Sequence, residues 1–174
     1  MSTTVGIVVF PGTNCEMDTV DALEELGGTA RTLWYDDDDL TGIDAIVVPG
    51  GFAHGDYLRP GAIARFSPVM MAIAHFAAEG GPVVGICNGF QVLTEAGLLP
   101  GALQKNKGLK FICQPARLRV ETTNSVLTRK AVNGMELAVP INHFEGNFTC
   151  DDETLAFLTD QDRVVLRYVE NPNG

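Results

Sequence analysis

The chain has 174 residues, 45% of them apolar and 20% charged, enough for one buried core and too apolar for disorder. Its net charge of −10 argues against nucleic acid or an anionic membrane as the main partner. The N-terminus lacks a basic signal-peptide start, and no stretch nears the roughly 18 apolar residues of a membrane span. Cys15, Cys87, Cys113 and Cys150 lack zinc-type spacing, so a cytosolic protein without a metal site is expected.

Val5-Gly6-Ile7-Val8-Val9-Phe10 is a continuous apolar run, the pattern of a strand buried on both faces. Pro11-Gly12-Thr13-Asn14 breaks it, with Asn14 placed to cap a helix and Glu16 and Asp18 in its first turn. Met17, Val20, Leu23 and Leu26 mark that helix until Gly27-Gly28 stops it, and Thr29 to Tyr35 reads as a second strand. Asp36 to Asp39 are read as a solvated loop rather than a cation site, since no further ligands are spaced around them. Ala45-Ile46-Val47-Val48 is a third buried strand, running into Pro49-Gly50-Gly51-Phe52. Paired glycines after a strand let backbone N–H groups face a cleft without interference from a Cβ. The loop from Ala53 to Gly61 is long, polar and glycine-interspersed, which favours a functional role over a plain connector. Pro68 to Gly81 reads as a helix with Met71, Ala74 and Ala78 on one face and His75 as an ordinary helix residue.

Pro82 to Gln91 carries the main chemical signal. Val83-Val84 leads into Gly85-Ile86-Cys87-Asn88-Gly89, and a helix-compatible run follows from Phe90 to Ala96. Strand, G-x-C-x-G, helix is the order of a nucleophile elbow: flanking glycines make room for a strained turn that sets the nucleophile at a helix N-terminus. Unpaired N–H groups and the helix dipole there favour a thiolate and can hold an oxyanion. Leu98-Leu99-Pro100-Gly101 closes the helix, and Gln104-Lys105-Asn106-Lys107 forms a small basic island. Phe111 to Val120, Leu137 to Ile141 and Val164 to Val169 read as strands, with turn chemistry at Asn133-Gly134. The expected class is α/β: a mostly parallel, doubly wound sheet first, then added antiparallel strands in the C-terminal half. Asn171-Pro172-Asn173-Gly174 is a turn that leads nowhere, so the fold is expected to continue past it.

The joint motif set resembles the class I (triad) glutamine amidotransferases: G-I-C-N-G-F-Q, preceded by P-G-G-F-A-H-G-D-Y-L-R-P-G-A-I-A-R-F and followed by L-L-P-G-A-L and N-K-x-L-K-F-I-C. V-F-P-G-T-N-C-E and P-I-N-H-F-E-G-N-F-T-C-D-D-E-T-L narrow the resemblance to the glutaminase subunits of phosphoribosylformylglycinamidine synthase, over nearly the whole chain. The resemblance implies a flavodoxin-like fold and a single type-1 amidotransferase domain over 1–174, lacking its C-terminal end. It implies that Cys87 attacks the side-chain amide of glutamine to form a thioester, releasing ammonia, with the N–H groups of Gly51 and Asn88 as oxyanion donors. Gln91, Gly50, Phe52, Asn142, Phe144 and Glu145 match substrate-side positions. No cofactor is implied in this subunit. ATP and magnesium belong on a synthetase partner, which converts formylglycinamide ribonucleotide in purine biosynthesis, and a small third subunit fits the same complex.

One departure concerns the base. The family pairs a His with a Glu two residues on, near its C-terminus, and no P-H-P-E-type motif occurs here, so the pair is expected beyond Gly174. His143-Phe144-Glu145 has that spacing but the context of a different family segment, and His54 is a weaker candidate still. The rival reading, favoured by the absent pair, is a non-catalytic amidotransferase-like subunit that binds and regulates a partner.

Overall fold

The computed structural model describes residues 3–173, and the chain divides into two units, Met1–Leu99 and Pro100–Gly174. The first unit is built on four parallel strands: β1 (Thr4–Val9), β2 (Thr29–Trp34), β3 (Ala45–Val48) and β4 (Val83–Gly85). Their spatial order is β2-β1-β3-β4. The helices between them are α1 (Glu16–Glu25), α2 (Pro68–Ala78) and α3 (Asn88–Glu95), the last following β4 directly. Ile7, Val8, Ile46 and Val48 of the sheet are buried, as the continuous apolar runs require, together with Leu33, Val69, Met70, Ile73, Val92 and Leu93.

This order places a topological switch between β1 and β3, because the chain leaves β1 toward one side for β2 and returns to its other side for β3. In such sheets the crevice outside the carboxyl ends at the switch is where ligands bind. The loops leaving β1 and β3 meet there. Thr13 and Gly51 form an isolated antiparallel bridge, with Phe52 N–H donating to Gly12 O (2.8 Å) and Asn14 N–H to Gly50 O (3.2 Å). Asn14 is therefore not the cap of α1. Cys15 takes that position without a side-chain capping bond, because the bridge draws Asn14 into the turn.

Two expected helix faces are corrected. In α1, Val20 and Leu23 are half-buried, whereas Met17 and Leu26 are exposed. Three-residue steps fall about 60° short of a full turn, so a run of such steps drifts around the cylinder and only its middle stays inward. In α2 the buried residues are Val69, Met70 and Ile73, while Met71 and Ala78 are not, Met71 facing solvent, and Ala74 is half-buried. That helix is apolar on nearly every side, so periodicity cannot choose its inward face. His75 is exposed on it.

The second unit holds two antiparallel sheets. One pairs β5 (Ala102–Gln104) with β8 (Asn147–Thr149), and the other has the order β7-β6-β9. Here β6 is Ile112–Val120, β7 Glu136–His143 and β9 Leu166–Tyr168. The longer strands match expectation. The three-residue β5 and β8 and the helix α4 (Asp152–Asp160) are additions. The cap of α4 is explicit in hindsight: Asp151 accepts from Thr154 N–H at 2.8 Å. The Asp36–Asp39 run shapes turns, Asp37 accepting from Trp34 N–H and Asp39 from Thr41 N–H.

The backbones pack closely under the elbow. A Cβ on Gly89 would fall inside the carbonyl oxygen of Val48, a backbone atom of β3 that cannot step aside. Gly89→Ala should destabilise the protein by about 3 kcal/mol or more. Gly108→Ala, at a site with open space around it, should stay within about 0.5 kcal/mol. Denaturant titration of both variants measures the difference.

Candidate active site

Cys87 sits between β4 and α3 at φ 52°, ψ −112°, a positive-φ conformation that a non-glycine residue adopts only under constraint. The constraint is visible on both sides. A Cβ on Gly85 would lie 2.7 Å from the carbonyl group of Gly89, and one on Gly89 would meet Val48 O. The G-x-C-x-G spacing therefore lets α3 start hard against the sheet. Register does the rest: Val48 pairs with Gly85 and Ile86 N–H donates to Val48 O at 3.0 Å, so the chains leaving β3 and β4 emerge side by side. Gly50 lies against Cys87, where an added Cβ would come 3.4 Å from that of Cys87.

The donors sort out by geometry. Asn88 N–H faces the Cys87 sulfur. Phe52 N–H is taken by Gly12 O, and the Phe52 side chain is exposed. Gly51 N–H makes no hydrogen bond among the described residues. Gly51 has φ +146°, and a Cβ there would lie 2.6 Å from Asn14 N, so only glycine fits the bridge. Gln91, one turn along α3, has its Oε1 held by Asn88 Nδ2 at 2.9 Å.

The thiol does not gain the low pKa expected of a helix N-terminus. Crowding by protein atoms on its inner side pushes the Cys87 pKa up, although the residue keeps an exposed face. Asn88 N–H pulls it down, and the nearby Cys15 and Asp56 push it up again. Desolvation is the largest of these effects and outweighs the pull of the Asn88 N–H.

His54 and His143 are both built into packing. The His54 ring lies 5.5 Å from Tyr35, edge to face, and 5.9 Å from Phe10, with Nε2 buried and unpartnered among the described residues. His143 Nδ1 bonds Asn106 Oδ1 at 2.9 Å, and burial lowers its pKa.

Within the second unit, Asn142, Phe144 and Glu145 lie at the end of β7 and in the turn after it. Asn142 is exposed and pairs in register with Cys113, while Phe144 and Glu145 are half-buried. The segment is tied down by a residue that sequence reasoning passed over as part of a basic island. Asn106, 1% exposed, donates from its backbone to Phe144 O (2.8 Å) and from its side chain to Lys110 O and His143 O (both 2.9 Å). Its Oδ1 also accepts from Gly146 N–H (3.3 Å) and Asn173 Nδ2 (3.4 Å). The N-K-x-L-K-F-I-C motif contained the signal, but composition drew attention to its lysines. In the first unit, the bidentate Arg59–Glu95 pair (2.7 Å each) ties the loop after β3 to α3, and was equally unforeseen.

With this geometry in place, the comparisons decide the family. The CobB/CobQ-like glutamine amidotransferase domain matches residues 2–174. The chain belongs to that family. This amidotransferase is 56% identical over 170 residues to phosphoribosylformylglycinamidine synthase subunit PurQ of Rubrobacter xylanophilus, covering 98% of this chain and 77% of that protein. It is 55% identical over 179 residues to the protein of the same name from Koribacter versatilis, covering 97% and 78%. Among solved structures it resembles a chain of PurLQS from Thermotoga maritima, at 40% identity and a TM-score of 0.89, covering all of this chain and 78% of that one. The amidotransferase is thus of class I, with a flavodoxin-like parallel sheet and added antiparallel strands. No helix among the described residues is long and apolar enough to cross a membrane.

Two outcomes are expected. The rate of Cys87 alkylation by iodoacetamide should rise with pH to an inflection above the ordinary thiol range. A raised pKa keeps the thiol protonated at neutrality, and thiolate appears only as pH climbs through it. Asp56→Asn removes a like charge and should move the inflection down. In the second unit, Asn106→Ala strips partners from two carbonyls and a histidine and should cost about 2–4 kcal/mol, read by thermal unfolding.

Proposed function

We propose that the chain is the glutaminase subunit of a phosphoribosylformylglycinamidine synthase, hydrolysing glutamine and passing ammonia to a synthetase subunit. The observation that carries this reading is the constrained Cys87 at the start of α3, with Asn88 N–H on its sulfur and the unengaged Gly51 N–H on the adjoining loop. Those are the parts acyl transfer from an amide needs: a reachable thiol and two donors for the developing oxyanion.

In the proposed reaction the Cys87 thiolate attacks the side-chain carbonyl carbon of glutamine, and the carbonyl electrons move to an oxygen held by the Gly51 and Asn88 N–H groups. Collapse breaks the carbon–nitrogen bond, the nitrogen leaves as ammonia after taking a proton from the base, and a glutamyl thioester remains. Water then attacks the thioester, expelling Cys87 and giving glutamate. In the first unit, Gln91, Gly50 and Phe52 are the residues proposed to contact the substrate. The base expected from the resemblance is a His paired with a Glu. His54, wedged between aromatic rings, and His143, bound to Asn106, are already committed elsewhere.

The names of the relatives, a synthase subunit and a chain of PurLQS, support a multi-subunit complex. A synthetase subunit and a small third subunit complete the complex, the ATP and magnesium chemistry sits on the synthetase, and this subunit needs no cofactor of its own. The setting is the cytosol. The deciding experiment compares glutamine-dependent ammonia release by this chain and by a version extended through its natural C-terminus, each with and without Cys87→Ala and with the synthetase added. The extended chain should be active, and Cys87→Ala should lower its rate by on the order of 10⁴-fold or more. Silence in every form would support a regulatory subunit without catalysis.

A further inference from the structure

We infer that the Asn88 side chain, braced by Asp56, is a positioning residue that sets the distance between the two oxyanion donors. This rests on the glutaminase reading above and adds to it a role for a side chain where that reading uses only a backbone N–H.

Asn88 is 3% exposed, yet it carries a carboxamide where an apolar residue would fill the space. Its oxygen accepts from Ala53 N–H at 2.9 Å, and its nitrogen donates to Asp56 Oδ1 at 3.0 Å and to Gln91 Oε1 at 2.9 Å. The orientation of the amide follows from its partners, since Ala53 N–H can only donate and a carboxylate can only accept. One side chain thus grips the loop after β3 at two points and the first turn of α3 at a third.

That loop needs gripping. His54, Gly55, Asp56 and Leu58 all have left-handed backbones, at φ 53°, 69°, 51° and 73°. Several such residues in succession persist only where the surroundings hold them. Gly51 N–H lies just before the gripped stretch. On its near side, Phe52 N–H is fastened to Gly12 O, and one residue further Ala53 N–H is fastened to Asn88. The other donor is the backbone N–H of Asn88 itself. The Ala53–Asn88 bond therefore links the two donor-bearing segments directly, and a change in it alters the gap that the oxyanion must bridge. A donor displaced by a fraction of an ångström loses much of its value, because the oxyanion is stabilised by groups already in place.

The test is a pair swap in the full-length subunit assembled with its synthetase. Asn88→Asp keeps the acceptor for Ala53 N–H but sets two carboxylates against each other, and should lower kcat for ammonia release roughly 10- to 100-fold. Adding Asp56→Asn restores one donor and one acceptor across the contact, since the introduced carboxamide would donate to the new carboxylate, and should recover at least about tenfold of that loss. A merely structural asparagine would not show rescue in kcat. A double variant no better than Asn88→Asp alone overturns the proposal. The second measurement is amide hydrogen exchange of residues 52–56 in Asn88→Ala, where protection should fall. Unchanged protection overturns the proposal whatever the activity. If the unsubstituted complex shows no Cys87-dependent ammonia release, the glutaminase reading fails by itself, and the exchange result still judges the anchor.

Discussion

The approach of Gly89 to the carbonyl of Val48 governs this protein. Because no side chain stands between them, α3 begins in contact with the end of β3 rather than a helix radius away. The turn before it must then be abrupt, and Cys87 takes up a positive-φ backbone to make it. The same closeness brings the Gly50-Gly51 turn beside the cysteine, so one packing contact sets the thiol and that turn side by side. The strain held at Cys87, of order 1–3 kcal/mol for such a conformation, is sustained by buried apolar surface on β3 and α3.

Around that contact the first unit fastens its loops chiefly with backbone and carboxamide groups. The bridge between Thr13 and Gly51 joins the exits of β1 and β3 across the switch point, and Asn88 joins the β3 exit to the elbow. Such bonds keep direction and length in a way that apolar contacts do not. Burial pushes the Cys87 thiol up most, and Asp56, useful as a brace, adds a smaller push in the same direction. In the second unit Asn106 plays a comparable fastening role for the turn after β7.

Much of this was legible in the chain itself. Continuous apolar runs at Val5–Phe10 and Ala45–Val48 declared buried parallel strands, and the spacing of Gly85, Cys87 and Gly89 declared the elbow, because short-range sterics leave few other uses for that pattern. The family followed from motifs that are local strings. Helix faces were less legible: α2 is apolar almost all round, and α1 follows a three-residue step that drifts off its face. The three-residue strands β5 and β8 are too short to show alternation.

The sequence by itself determined the elbow at Cys87, the order of strands and helices in the first unit and the family, since each depends on residues near one another along the chain. Tertiary structure alone decided which N–H groups remain available and which polar groups join distant segments. Phe52 and Gly51 are neighbours with the same backbone donor, and only the position of Gly12 O takes one and leaves the other. The Asn88–Ala53 and Asn106–His143 bonds span 35 and 37 residues, and nothing local to either asparagine announces its partner. The net pKa of Cys87 was likewise undecided by its place at a helix N-terminus, because desolvation and the nearby Cys15 and Asp56 are properties of the folded surroundings.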